Sequence, residues 1–102
     1  LHTAIFENTN LIGADLSGAN LEKQNLQNLN FYAATLYDAN LNGANLENSS
    51  LRFANLINAD LKNSKLDNTD FYKAKIKNVT PINSANVLMS AVTSKFACSK
   101  KN

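Results

Sequence analysis

The sequence predicts an all-β solenoid, a chain wound into stacked coils, and three regularities predict it. Every fifth residue from Leu1 to Ile76 is Leu, Phe or Ile. Two places before these centres, from residue 4 to residue 74, stands Ala, Ser or Thr at every position but Gln24 and Leu29. Two places after them Gly or Asn recurs, as in Gly13, Gly18, Gly43, Asn28, Asn48, Asn58 and Asn68. A step of five suits no simple element. On an α-helix it turns about 140°, so the apolar residues would spiral around the rod. On one strand an odd step sends successive residues to opposite faces.

The centres are the first element to justify. After Leu1 they are Phe6, Leu11, Leu16, Leu21, Leu26, Phe31, Leu36, Leu41, Leu46, Leu51, Leu56, Leu61, Leu66, Phe71 and Ile76. If each five-residue unit is one short extended side, the centre and the small residue before it point inward. The other three positions point outward or form a corner. Gly and Asn tolerate positive φ, so their preferred place marks that corner as the third residue of a type II turn. The residue just before the centre is often Asn or Asp, as at Asn20, Asn45 and Asp60. A bend in every unit winds the chain into a coil. Coils must stack to satisfy their backbone groups, at about 4.8 Å per layer. One coil cannot bury its leucines alone; a stack can.

Ala14-Asp15-Leu16-Ser17-Gly18, Ala19-Asn20-Leu21 and Ala44-Asn45-Leu46-Glu47-Asn48 follow the pattern A(D/N)LXX. In these units the sequence resembles the pentapeptide-repeat family, and the likeness runs over residues 1–80. The resemblance implies a right-handed quadrilateral β-helix with four pentapeptides per coil. The centres then make about four coils and a rod roughly 20 Å long. It also implies that residues twenty apart stack in columns.

The tail departs from the pattern. Pro81 takes the place of the next centre, and PINSANVLMSAVTSKFACSKKN loses the five-residue step. Proline brings no N–H to a ladder. Asn83 or Ser84 suits a helix N-cap, and Leu88, Val92 and Phe96 share a helical face with Val87 and Ala91 beside it. Lys95, Lys100 and Lys101 suit the C-terminal end of the dipole. The expectation is a β-helix over 1–80 and a capping helix with a basic tail over 81–102. Such a lid covers hydrogen-bonding edges that would otherwise invite association. The Leu1 end shows no comparable cap and no initiating Met, which predicts upstream sequence or a contact at that end.

Composition narrows function. At 102 residues the chain is one domain. No apolar run approaches the roughly 18 residues of a membrane span. Cys98 is the only cysteine and His2 the only histidine, so there is no disulfide framework and little material for acid–base or zinc chemistry. There is no phosphate-binding glycine loop, no metal-spaced His/Cys set and no Ser/His pair. The expectation is a non-enzyme with no cofactor, no metal and no small-molecule substrate. Charge is uneven along the chain: residues 1–60 carry Lys23 and Arg52 against Glu7, Asp15, Glu22, Asp38, Glu47 and Asp60. Residues 61–102 carry lysines 62, 65, 73, 75, 77, 95, 100 and 101 against Asp67 and Asp70. The residues leave the compartment open between the cytoplasm and, if a signal preceded Leu1, the periplasm or thylakoid lumen; the resemblance implies such settings, since modules of that family are abundant in cyanobacteria in all of them.

Columns of twenty order the outer surface. One holds Ile12, Tyr32, Arg52 and Tyr72, with Ala33 and Phe53 alongside; the next holds Ser17, Tyr37, Ile57 and Lys77. Another holds Glu7, Gln27, Glu47 and Asp67, followed by Asn8, Asn28, Asn48 and Asn68. The asparagine ladder reads as corner geometry. Ile12, Tyr32, Phe53 and Tyr72, with Arg52 among them and Tyr37 and Ile57 around the corner, form a candidate interaction patch. Large apolar groups there point away from the core, as in many binding surfaces. The competing reading is packing within a β ladder. The functional expectation is a non-catalytic structural or protein-binding module whose partner is another protein or a second copy. A second expectation comes from the resemblance: some members resemble B-DNA in size and charge and inhibit type II topoisomerases such as gyrase. That activity needs a broad acidic surface, and the basic C-terminal portion argues against it. Aromatic and basic residues interleave only at Tyr72-Lys73, so nucleic acid is not an expected partner.

Overall fold

The structure, a computed structural model, describes residues 9–80. The expected cap over 81–102 lies outside the described residues, as do Phe6, His2 and Cys98.

Parallel β-bridges join residues twenty apart. They run from Asn10↔Asn30, Asp15↔Thr35, Asn20↔Asn40 and Asn25↔Asn45 up to Asp60↔Thr80. Successive bridges fall five residues apart, so four sides complete a coil before the chain returns above its starting point. Three coils occupy 11–30, 31–50 and 51–70, and half of a fourth occupies 71–80. Each side is too short for an extended strand, and the sheet on each side is a pile of single bridges. The molecule is a four-sided β-helix.

The unit Leu41–Asn45 shows why five residues suffice. Leu41 N–H donates up to Asp60 O at 2.8 Å and Gly43 N–H to Lys62 O at 2.7 Å. Asn45 N–H donates down to Gln24 O at 3.0 Å. Ala44 N–H closes the corner onto Leu41 O at 3.0 Å, and Asn42 N–H is taken by the Asn40 side-chain Oδ1 at 2.9 Å. All five backbone donors are satisfied, which a buried backbone requires.

That last bond gives the Asn/Asp preference its cause. Asn10, Asp15, Asn20, Asn25, Asn30, Asn40, Asn45, Asn55, Asp60 and Asp70 each accept from the N–H two residues on. This is an Asx turn, leading straight into the corner. At the corner itself every described residue two places after a centre has positive φ. Gly13, Asn28 and Asn48 do so, and so do Lys23, Ala33, Asp38, Phe53 and Lys73. An L-residue other than Asn or Asp pays about 1–2 kcal/mol there. The bridges on both sides hold the conformation whatever the side chain.

The core is the axis. Leu21, Leu26, Phe31, Leu36, Leu41, Leu46, Leu51, Leu56 and Phe71 are fully buried, and Leu61 and Leu66 nearly so. Each buried leucine contributes on the order of 2 kcal/mol. Leu11, Leu16 and Ile76, towards the two ends of the described rod, are only part-buried. Small residues such as Ala34, Ala44 and Ala54 line the wall. Where the wall is hydroxylic, the backbone absorbs it: Ser49 Oγ and Thr69 Oγ1 both donate to Leu46 O at 2.7 Å. Gln24 and Leu29 also point inward and are buried. Among the described corners, Leu26–Leu29 is the one without the closing bond between its first and last residues. The corner opens at Leu29, whereas the Gln24 corner stays closed, with Gln24 N–H on Leu21 O at 3.2 Å.

Candidate interaction surface

The corner between the sides centred on Asn10/Asn30/Ser50/Asp70 and on Asp15/Thr35/Asn55/Lys75 carries the aromatic column. It is built from turns Leu11–Ala14, Phe31–Ala34, Leu51–Ala54 and Phe71–Ala74, each closed by its backbone bond. Gly13 N–H bonds Tyr32 O, Ala33 N–H bonds Arg52 O, and Phe53 N–H bonds Tyr72 O. These bonds set Ile12, Tyr32, Arg52 and Tyr72 in successive layers.

Their side chains meet as a stack. The Tyr32 and Phe53 rings lie 5.3 Å apart at 58°, and Phe53 and Tyr72 lie 6.0 Å apart edge to face. Both geometries suit the ring quadrupole. Arg52 lies with its guanidinium carbon 4.9 Å from the Tyr72 ring centroid, and Lys73 Nζ lies 5.7 Å from it. Arg52 Nε also donates to Asp70 Oδ2 at 2.8 Å. Ile12 is 51% exposed, Tyr32 42% and Phe53 45%, whereas Tyr72 is half-buried under its two cations.

The structure therefore brings together Tyr32, Arg52, Phe53 and Tyr72, with Ile12 at the foot of the column. Tyr37, exposed, and Ile57, half-buried, stand on the next corner and make no ring contact with this stack. Asp70 is the member that sequence reading missed. Its signal was an opposite charge eighteen residues from Arg52, just short of one full coil.

Two other features have structural explanations. Asn28, Asn48 and Asn68 all occupy corners at positive φ, and on another corner Asn78 Nδ2 donates to Asn58 Oδ1 at 3.1 Å. Asp15 has its carboxyl held below the ordinary 3.8 by hydrogen bonds from the Ser17 side chain and then from the Ser17 backbone. It is a fixed negative charge near the base of the described rod. Among the described residues no group of three or more His, Cys, Asp or Glu is placed to hold a metal ion. Nor is any helix there long and apolar enough to cross a membrane.

Comparison with known proteins follows the same lines. The profile for pentapeptide repeats matches residues 4–43 and 44–80, in eight copies. A pentapeptide repeat protein from the Arabidopsis thaliana thylakoid lumen is similar at 36% identity over 68% of this chain and 48% of its own, with a TM-score of 0.66. HetL, a pentapeptide repeat protein involved in heterocyst differentiation regulation in the cyanobacterium Nostoc, is 33% identical over 67% of this chain and 34% of its own, at a TM-score of 0.39. A pentapeptide repeat protein from the cyanobacterium Cyanothece is 39% identical over 64% and 42%, at 0.34. The chain spans less than half the length of each of these three. A search among curated proteins found no match.

Proposed function

The chain belongs to the pentapeptide-repeat family, and from that premise we propose that it is a non-catalytic structural and protein-binding module. Its working surface is the aromatic corner. The observation that carries this reading is Phe53. A bulky ring stands 45% exposed at a corner with φ of 61°, where Gly or Asn would cost less. The contacts with Tyr32 and Tyr72 still leave nearly half of the ring in solvent, and an exposed apolar column is what a partner would bury. The cations flanking Tyr72 supply a polar margin around it. The reading includes the helical cap over 81–102, which rests on residue pattern alone. The lumenal Arabidopsis neighbour supports the lumenal option for compartment.

Changing Tyr32 and Phe53 together to Ser tests the surface. The variant keeps the far-ultraviolet circular dichroism of the parent and loses association, read as oligomer mass or as capture of a partner. Unchanged association with an intact fold would mean that the rings are ladder packing only. Mimicry of duplex DNA is the less supported reading, since Arg52, Lys73, Lys75 and Lys77 are exposed on the rod and would repel a basic saddle. Dose-dependent inhibition of gyrase supercoiling would reverse that ranking.

A further inference from the structure

The side between the two apolar corners has its own pattern. Its midline is a continuous run of bridges: Asp15 to Thr35, Thr35 to Asn55, Asn55 to Lys75. Upward along the rod it reads acid, neutral, neutral, base, with the charges three layers or about 14 Å apart. The corner leading into this side ends on Ala33 in the second coil and Phe53 in the third. The corner leaving it begins with Tyr37 in the second and Ile57 in the third. Tyr37 and Phe53 are exposed, and so are Asp15 and Lys75. Among the described residues neither Asp15 nor Lys75 has an ion-pair partner, in contrast to Arg52 and Asp70 around the corner.

This side is complementary to itself when turned end over end. A two-fold axis across it, between the second and third coils, brings Asp15 opposite Lys75 and Thr35 opposite Asn55. The same operation sets Tyr37 against Ile57 and the large Phe53 against the small Ala33. We propose that the chain pairs with a second copy of itself through this side, the two rods antiparallel. A two-fold axis along the rods would instead oppose Asp15 to Asp15 and Lys75 to Lys75, and like charges in register disfavour it. An isologous contact of this kind is the commonest route to a homodimer. The pairing rests on the reading of the exposed apolar corners as an interface, and it names the occupant. Its strength is limited by area. The side is about 10 Å wide and 20 Å tall, well below the roughly 800 Å² per partner of a stable complex. Association is therefore weak and concentration-dependent.

Sedimentation equilibrium from micromolar to millimolar protein tests this at low salt, where exposed charges are least screened. The parent chain shows a rising dimer fraction. Asp15→Lys and Lys75→Asp each place two like-charged pairs in the contact and weaken association about tenfold or more. Both substitutions suit the fold, because Lys already holds this position at Lys65 and Asp holds it at Asp60 and Asp70. An equimolar mixture of the two single variants regains the parent affinity as a heterodimer, and so does the double variant with itself. A parent chain that stays monomeric, or a mixture that fails to recover, overturns the antiparallel pairing. If capture of another protein then still depends on Tyr32 and Phe53, the interface reading survives without it. If capture is indifferent to them, both fall.

Discussion

Phe53 sets a packing gain against a backbone cost, and the two can be separated by substitution. Its ring meets Tyr32 at 5.3 Å and Tyr72 at 6.0 Å. Such pairs contribute about 0.5–1.5 kcal/mol each beyond area burial, and the exposure of this corner favours the lower end. Burying roughly half of the side chain adds about 1 kcal/mol. Phe53→Ala keeps the left-handed corner, as Ala33 does one coil below, and loses both rings' contacts; it costs about 2 kcal/mol. Phe53→Asn loses the same contacts but relieves about 1 kcal/mol of backbone cost, since Asn visits this region readily. The net loss for Asn is then about 1 kcal/mol. Urea unfolding, with slopes unchanged between variants, reads these differences directly. Equal stability of the two variants would refute the strain at the corner. An Ala variant as stable as the parent would refute the ladder-packing account, leaving the rings no part in folding.

Further outcomes follow from the axis and the charges. Leu46→Ala empties a fully buried site and costs about 2–5 kcal/mol in the same unfolding assay. Asp70→Asn keeps the bond to Tyr72 N–H and loses the Arg52 pair; both partners are over two-fifths exposed, so the cost is under about 1 kcal/mol. Asp70→Ala loses both and costs about 1 kcal/mol more. Asp15 ionises below 3.8 in the folded chain. The stabilisation this brings is present above its unfolded value and is lost as pH falls through the lowered folded value. An NMR titration of its carboxyl shows a midpoint below 3.8, and Ser17→Ala returns it towards 3.8.

The axis was legible from sequence because a leucine has only one good place in such a coil. The unbroken series of centres fixes which residues are inside, and the twenty-residue column follows once four sides are assumed. The corner was legible at Gly13, Gly43 and Asn48 but not at Lys23, Ala33 or Phe53. There the ladders above and below impose positive φ against local preference. The preference for Asn and Asp before each centre was visible without its reason, which needed the hydrogen bond to the next corner's N–H. The candidate surface was half legible. Columns placed Tyr32, Arg52 and Tyr72 together, but the tie from Arg52 to Asp70 spans two adjacent columns. The columns set Tyr37 around the corner from Phe53, and the bridges supply the side that the two flank.

A five-residue side tied to the coils above and below it, as Leu41–Asn45 is, gives the chain two reading frames. Removal of one pentapeptide leaves every leucine beyond it pointing inward and every bridge able to re-form, so the interior scarcely registers the loss. The outside is read in twenties. The same deletion turns everything after it by a quarter of the rod, so that one placed between Tyr32 and Phe53 would part those rings onto different corners and carry Lys75 off the line of Asp15. Length can therefore drift in fives without harming the fold, while whatever the surface recognises tolerates change only by whole coils.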